Sequence, residues 1–598
     1  MPEFYFSKYE NRLPPEPIPY SMWRELLWQF LATINLVLGA WYIIWRWNCS
    51  LNYNALWFAI LLAAAETCAY FGLILFTINL WAVRDYEQKP PPKFITECVH
   101  DPENYPERPI KVDIFFTTYD EDPELVRLGI RDAKKIRYPH PIDIKIHVLD
   151  DGRREEMKKV AEEEGVNYIT RPNNIGFKAG NLRNGIEKTS GDFIVICDAD
   201  TRPFPTILED TLGYFRDPDV AWVQTPQWFY DLPEGIPLKE FLRKYLKTPG
   251  YWLGSIIEKI FGPINIGEDP FCNNPQMFYD VIQRRRNWAN ASFCCGAGSI
   301  HRREAVMQVA LKTYAEAVDK MIKDITKNIE NERLKTKLIE AIKHILAVET
   351  EITPYKFHVS EDIYTSIVLH SDPDRNWKSV LHPKIESKML SPQDLLSWTV
   401  QRFKYAGGTL DIAIHDNPIL KKGLSIPQKI MYGTTIWSYF GCLWNVIFLS
   451  APIIYLFTGI APVAAYSMDF FKHIIPFLLM NELSFMIGTW GVPDWAGKSS
   501  YLALFPVNLR ALWTVLKGEQ IKFPVTPKVR QEGKYFRLVI PQFMVIVLTV
   551  AGLIFAGIKI YLGYETNVSG FVANLFWGIH NILAMSGIVR AAFWKPEE

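Results

Sequence analysis

Two short acidic runs, Asp150-Asp151-Gly152 and Asp198-Ala199-Asp200, each follow directly on an apolar stretch, Ile142 to Leu149 and Phe193 to Cys197. A third polar cluster, Thr117-Thr118-Tyr119-Asp120-Glu121, closes the run Val112 to Thr117. Paired carboxylates offer oxygen ligands to a hard divalent cation, and such a cation neutralises a diphosphate leaving group. A lone Asp-x-Asp is most often a solvated turn. Here it stands where a buried strand emerges, and that position favours the metal reading. Asp150-Asp151-Gly152 reads equally well as a type I turn closed by Gly152.

The elements that must position these residues alternate in period. The β-rich runs Val112 to Thr117, Ile142 to Leu149, Val166 to Thr170, Phe193 to Cys197 and Val220 to Gln224 are separated by helix-like segments. This predicts an α/β domain with a largely parallel sheet, whose ligands bind at the carboxyl ends of the strands.

The 598 residues carry no net charge, so nucleic acid is not an expected partner. Eight cysteines, of which only Cys294 and Cys295 are close together, form no Cys-x-x-Cys zinc spacing, and a reducing cytosol without structural zinc is expected. Hydrophobic residues are 49% of the chain and segregate into six runs: Leu26 to Trp45, Leu56 to Ala82, Ile430 to Ile460, His473 to Thr489, Leu538 to Ile558 and Thr566 to Val589. Each is long enough to cross a bilayer. No small-residue cleavage site follows the first, so a membrane hairpin is expected rather than a removed signal peptide. The third run is longer than one crossing needs and is expected to begin as a surface helix before Pro452 interrupts it. The connections Gly459 to Met468 and Tyr561 to Ser569 lack Lys and Arg, whereas Lys421, Lys422, Lys429, Arg510, Lys517, Lys522, Lys528 and Arg530 cluster between other spans. The positive-inside rule then places both termini and the region from Arg84 to Gln428 in the cytosol.

In their order these residues resemble the family 2 glycosyltransferases, and among them the cellulose synthase group, from about Val112 to Lys528. Thr118-Tyr119-Asp120-Glu121 resembles the family's Thr-Tyr-Asn-Glu, with Asp120 in place of Asn. Asp150-Asp151-Gly152 is similar to its uridine-binding Asp-Asp-Gly, Lys178-Ala179-Gly180-Asn181 to its Lys-Ala-Gly-Asn, and Asp198-Ala199-Asp200 to its metal motif. Thr225-Pro226-Gln227, Phe278-Tyr279 and Phe293-Cys294-Cys295-Gly296 resemble the stretch lining the acceptor end, and Phe523-Pro524-Val525-Thr526-Pro527-Lys528 the gating loop that closes over the nucleotide.

The resemblance implies a GT-A-type cytosolic domain joined to a helical bundle of about six spans. It implies donor-binding roles for Thr118, Glu121, Asp150, Lys178, Asp198, Gln401, Arg402 and Lys404, and Mg2+ or Mn2+ at Asp198 and Asp200. Acceptor contacts fall to Cys295, Gly296 and Tyr405, and gating to Phe523, Val525, Thr526 and Lys528. Ser360-Glu361-Asp362 resembles the family's Thr-Glu-Asp and would make Asp362 the general base, since an attacking sugar hydroxyl must lose its proton to a nearby carboxylate. The same residues also read as a helix N-cap with an acidic first turn, and both roles are compatible.

Two departures stand out. The group's Gln-x-x-Arg-Trp is here Gln401-Arg402-Phe403-Lys404-Tyr405, so the charge is kept without the bidentate fork and the aromatic face is smaller. Glu304 to Glu351 inserts a charged stretch of helical period, read as a solvated hairpin in preference to a partner-docking surface. The expected organisation is a membrane hairpin over 1–84, a transferase domain over 85–390 with that insertion at 304–351, interfacial helices over 391–428, and a channel region over 429–598 with the gating loop at 519–530. No cyclic-dinucleotide barrel fits between the last span and Glu598, so such regulation would come from an accessory or regulatory subunit.

The expected activity is processive, inverting polymerisation of glucose from UDP-glucose into a β-glucan, cellulose or a mixed or 1,3-linked relative, at the plasma (inner) membrane. The product would cross the lipid bilayer through an aromatic-lined channel. Chitin-type or hyaluronan-type synthesis is the alternative within the class, and a transporter with a nucleotide-binding domain the alternative outside it. Two acids inside spans, Glu66 and Glu482, are costly there and read either as helix-to-helix ties or, for Glu482 beside Asn481, as channel lining. Asp200→Asn is expected to abolish sugar transfer in membranes supplied with Mg2+ or Mn2+. Synthesis that survives chelation would refute a metal at Asp198 and Asp200.

Overall fold

The computed structural model describes residues 4–594 except 233–234, 268, 270, 272–274, 328–331, 349–353, 357, 493, 520, 522–534 and 565–566. The main sheet has seven strands, β1 (Ile110–Thr118), β2 (Ile142–Asp150), β3 (Asn167–Ile169), β4 (Phe193–Asp198), β5 (Val220–Gln224), β6 (Ser299–Arg302) and β7 (Lys378–Leu381). They lie in the order β7-β5-β6-β4-β1-β2-β3. Only β6 runs antiparallel to its neighbours. The first five coincide with the β-rich runs of the sequence, whereas β6 and β7 are four-residue strands with polar residues at three and two of their positions.

Side chains alternate across the sheet and fill one core on each face. Phe116, Val195 and Val148 join Val126, Ile130 and Phe215 on one side. Phe115, Ile194, Ile196 and Leu149 join Trp222, Leu182 and Trp377 on the other. Burial on both faces explains the near-continuous apolar runs. Asp113, the charged exception inside β1, is matched by His147 on β2 at 3.0 Å and by Arg303 at 2.8 Å.

The charged insertion does form two helices, Arg303–Thr326 and Glu332–Val348. Its expected start at Glu304 is too early: Ala305, Val306 and Val309 are buried in the second core, so the first turns belong to the domain itself.

Among the described residues six helices are long and apolar enough to cross a membrane, among them Met22–Cys49, Tyr53–Asn79, Ile426–Thr458 and Met468–Thr489. The third span is one unbroken helix with Pro452 inside it, not a surface helix ended by proline. Proline at that point frees the carbonyl of Phe448, and Asn581 of the last span donates to that oxygen at 3.5 Å, so the helix continues. At 33 residues it is about 50 Å long, more than the hydrocarbon needs, and its first turns reach the globular domain. Gln428 there donates to the carbonyl of Asn290 at 2.8 Å.

On the side facing the domain, the spans are fastened by three consecutive buried arginines. Arg284 bonds Asp85 and Asp280 at 2.6–2.8 Å. Arg285 grips both oxygens of Glu25 at 2.7 and 2.8 Å and also donates to the carbonyls of Leu80 and Gly488. Arg286 reaches Asn79 and Thr435. Four spans therefore meet one six-residue turn, Arg284–Ala289. At the opposite end Arg46, wholly buried, donates to Glu66 at 2.9 Å and to the carbonyls of Ser50 and Pro462. Tyr42 takes the other Glu66 oxygen at 3.1 Å, so Glu66 is a tie between the first two spans. Asn481 accepts from Asn35 of the first span at 3.1 Å, while Glu482, half-exposed, pairs with Lys498 at 2.7 Å.

Removing one partner of a buried, hydrogen-bonded ion pair leaves the other charge without compensation. Arg285→Ala is expected to lower stability by about 3–5 kcal/mol. Thermal unfolding in detergent should show a clear drop in the midpoint; an unchanged midpoint would mean that the arginine turn does not fasten the bundle.

Candidate active site

Strand register brings the three acidic clusters together. Thr118 of β1 stands opposite Asp150 of β2, and Thr117 opposite Asp198 of β4, so the strands end on one line. At the β1 end, Glu121 folds back to accept from the Thr118 hydroxyl and the Tyr119 amide, both at 2.8 Å. Arg154 closes this corner, donating to Thr118 at 2.8 Å and to the carbonyl of Glu121 at 2.6 Å, and pairing with Asp150 at 3.3 Å.

Asp150 is fully buried and accepts from the amides of Gly152 and Arg154 and from the Tyr168 hydroxyl at 2.8–2.9 Å. It holds the turn together as a side-chain cap. A Cβ at Gly152 would lie 2.0 Å from the carbonyl oxygen of Tyr119, so only glycine fits. Asp151 turns aside to Arg171, which holds both its oxygens at 2.6 and 2.7 Å.

Lys178 projects from the helix Phe177–Lys188, which Asn181 fastens to β2 by donating to the carbonyl of Leu149 at 2.8 Å. Its ammonium pairs with Asp198, whose side chain is 41% exposed at the mouth of the sheet. Asp200, by contrast, is buried and accepts from the amide of Leu390 at 3.2 Å.

The turn 293–298 enters from the other side. Gln224 at the end of β5 accepts from the Cys295 amide at 2.8 Å, and Gln227 donates to the Cys295 carbonyl at 3.0 Å. The result places Gly296 between the reactive groups. With φ at +84°, its missing Cβ would sit 3.4 Å from Lys178 Nζ and 3.8 Å from Asp362 Oδ2. Burial pushes the Cys295 thiol and the Tyr279 hydroxyl far up in pKa, and the charges felt by Tyr279 include Cys295, Tyr405 and Asp362.

Asp362 opens the helix Glu361–His370. Ser360 occupies the N-cap position but makes no side-chain cap bond there; its amide donates to His358 instead, at 3.0 Å. The helix is tied inward by Ser366, which takes the Cys294 amide at 2.9 Å. It is tied toward the membrane side by Tyr364 to Asp416 and His358 to Asp411, at 2.8 and 2.9 Å. Burial raises both acids, Glu361 to about 7 with Asp362 as its like-charged neighbour, while the Lys178 ammonium works against the rise at each.

Gln401, Arg402, Lys404 and Tyr405 lie on the helix Leu395–His415, where Lys404 is buried, Tyr405 is exposed and the Arg402 guanidinium stands over the Trp398 ring. Gly408 of this helix packs on Ser360, and Gly407 receives Ile521. The gating-loop residues Phe523, Val525, Thr526 and Lys528 lie outside the described residues.

The structure thus gathers Lys178, Asp198, Gly296 and Asp362 at one place, with Cys295 and Tyr405 reached through Tyr279. Thr118, Glu121 and Asp150 form a network one strand away, and Asp200 points to the segment behind. Sequence reasoning missed Arg154 and the N-terminal arm. In that arm Phe6 is buried, Tyr5 donates to Asp231 at 2.8 Å, and Glu10 pairs with Arg202 and Lys388. Asp231, pushed up to about 6 by burial, accepts from the Ser391 amide beside Leu390, so the arm braces the segment that holds Asp200. The aromatic run Phe4-Tyr5-Phe6 was the available signal.

Residues that could coordinate a divalent metal are present as a group in Asp210, His382 and Glu386, whose ligand atoms lie within 4.8 Å of one another. Lys384 already bonds Asp210 at 2.6 Å and Glu386 at 2.9 Å there. The two sequence-expected ligands, Asp198 and Asp200, are hard oxygen donors of the kind Mg2+ and Mn2+ prefer.

A mixed α/β domain that gathers such groups at its strand ends, carried on six apolar helices, is a GT-A-like catalytic domain on a multi-span bundle. The family model for glycosyl transferase family 2 matches residues 113–309. The chain is 26% identical over 572 residues to a cellulose synthase catalytic subunit [UDP-forming] of Pseudomonas fluorescens, covering 94% of this chain and 66% of that one. It is 28% identical over 566 residues to cellulose synthase 1 of Komagataeibacter xylinus, covering 93% of this chain and 31% of that one. It therefore spans about two thirds or less of the curated relatives it matches. A mannosyltransferase of Pyrobaculum calidifontis, solved with GDP-Man and Mn2+, shares 12% identity at a TM-score of 0.44, covering 77% of this chain and all of that one, too loose a likeness to carry weight. Residues 113–309 are thus a family 2 glycosyltransferase domain, in a chain related to the cellulose synthases.

Gly296→Ala forces a side chain into a left-handed backbone and into the gap between Lys178 and Asp362. Turnover is expected to fall by roughly tenfold or more with the fold retained, since the added strain is only about 1–2 kcal/mol. Sugar-transfer assays beside a thermal melt check this; wild-type turnover would show that the gap is not where substrate lies.

Proposed function

We propose that the protein is a processive, inverting glycosyltransferase that polymerises glucose from UDP-glucose into a β-glucan and passes it through its own spans. The observation that carries the reading is Asp362 facing the Lys178–Asp198 pair across Gly296. An acceptor hydroxyl held in that gap lies beside a carboxylate able to take its proton, while the donor diphosphate leaves on the Lys178 side. Attack from the face opposite the leaving group inverts the anomeric centre. A divalent cation on Asp198 and Asp200 would supply charge neutralisation for the departing diphosphate.

Tyr405, exposed near Tyr279, is proposed to stack on the acceptor sugar, and Gln401, Arg402 and Lys404 to face the donor. The Glu482–Lys498 pair is proposed to line the path of the polymer. A cytosolic domain is proposed, a reading supported by the lysine and arginine that flank the span ends it touches.

Asp362→Asn should keep UDP affinity and lose transfer, because an amide still accepts a hydrogen bond but is not basic. A base with a raised pKa is protonated, and so idle, at a higher pH. The acid limb of the turnover profile is therefore expected above the ordinary carboxylate range, the two acids titrating together. Lys178→Met, which removes the opposing cation, should move that limb further up. If UDP affinity collapses along with turnover in Asp362→Asn, the residue is a donor ligand or a structural cap. A screen of UDP-sugars followed by linkage-specific glucanase digestion decides the donor, and incorporation of an N-acetylhexosamine instead of glucose would favour the chitin-type or hyaluronan-type reading.

A further inference from the structure

Between β5 and the acceptor-end turn the chain leaves the sheet to form a helix, Leu238–Phe261, that is folded back on itself. Lys247 takes φ 58° and ψ −139°, breaking the helix into two arms. The arms touch through glycine. A Cβ on Gly254 would lie 2.4 Å from Lys239 Cα, and one on Gly250 would lie 2.3 Å from the Leu242 carbonyl oxygen. Lys239 and Glu258 close the pair at 3.3 Å.

Because small residues fill the inner face, the large apolar side chains point outward. Tyr245, Leu246, Trp252, Leu253, Ile256 and Ile260 are each 48–64% exposed. Trp252, Ile256 and Ile260 recur every fourth residue and form one stripe, which a helix of a soluble domain would bury.

Two further observations say what covers it. The stripe starts at the bundle: Phe261 packs into the cluster of Phe485, Ile487 and Val492 at the end of the fourth span, and Gly262 lies against the backbone of Trp490 and Gly491. Charge is the second. Glu240 and Glu258 are paired with Arg243 and Lys239, whereas Lys244, Lys247 and Lys259 have no carboxylate partner among the described residues. An apolar stripe with Trp and Tyr, unpaired lysines beside it and a base at a span end have the composition of a helix lying in a lipid interface.

We propose that residues 236–262 form a helical hairpin that dips into the surface of an anionic bilayer on the domain's side of the membrane, with Trp252, Ile256 and Ile260 at the headgroup boundary and the three lysines against lipid phosphates. In sequence the hairpin precedes the helix Met277–Gln283, which carries Tyr279.

The test uses the full chain in nanodiscs of phosphatidylcholine with phosphatidylglycerol. Trp252→p-benzoylphenylalanine and Ile256→p-benzoylphenylalanine are irradiated and their adducts identified by mass spectrometry, with Lys159→p-benzoylphenylalanine on the outer surface of the domain as control. Lipid adducts at 252 and 256 are expected roughly tenfold above the control, and lower in discs of phosphatidylcholine alone. Position 256 by itself carries the result if the 252 variant does not fold. Adducts to a second copy of the chain, or lipid adducts no higher than at 159, would overturn the proposal.

Discussion

Burying three adjacent guanidinium groups at the base of a membrane bundle is costly unless polar partners meet them, and the partners they take join the two halves of this protein. Arg284, Arg285 and Arg286 lie in one turn, and each satisfies a different span end or linker: Asp85 and Asp280, Glu25 with the Leu80 and Gly488 carbonyls, and Asn79 with Thr435. An unmet charge at such a position costs several kcal/mol. The same segment leads within a few residues to Phe293-Cys294-Cys295-Gly296, so the clamp also fixes where that turn stands relative to the bundle.

Inside the domain a second electrostatic economy governs the site. One ammonium, Lys178, faces three carboxylates, those of Asp198, Glu361 and Asp362. It pairs directly with Asp198 and only partly offsets the burial of the other two, which leaves Asp362 more basic than a solvated aspartate. The proposed role of Asp362 as a base gains from this, provided its neighbour is not also fully ionised. The scaffold that makes it possible is rigid: β4 delivers Asp198, a helix fastened by Asn181 delivers Lys178, and a glycine with positive φ keeps the gap open.

Much of this was legible from sequence where the signal is local. The sheet's five apolar strands, the six spans and the acidic ends of β1, β2 and β4 follow from composition and period over ten to twenty residues. The strands β6 and β7 were not legible, because Ser299-Ile300-His301-Arg302 and Lys378-Ser379-Val380-Leu381 gain their burial from neighbours rather than from their own composition. The proline in the third span misled for the same reason, since its freed carbonyl is satisfied from another helix. The early turns of the insertion looked like an exposed charged helix, although Ala305, Val306 and Val309 form a short apolar face against the sheet.

What the sequence alone determined is the set of properties that each residue carries with it: which segments are apolar enough to span, which strands end in acids, and which motif order the chain shares with family 2 glycosyltransferases. Only the tertiary structure decided pairings between distant residues. Arg285 and Glu25 are 260 positions apart, Leu390 and Asp200 are 190 apart, and Tyr5 and Asp231 are 226 apart. A carboxylate's role depends on the charge and donors within a few ångströms, and chain distance says nothing about those. For that reason Asp150 is a buried turn cap, Asp198 a partly exposed partner of Lys178 and Glu66 a tie between spans, although all three are simply acids after or within an apolar run.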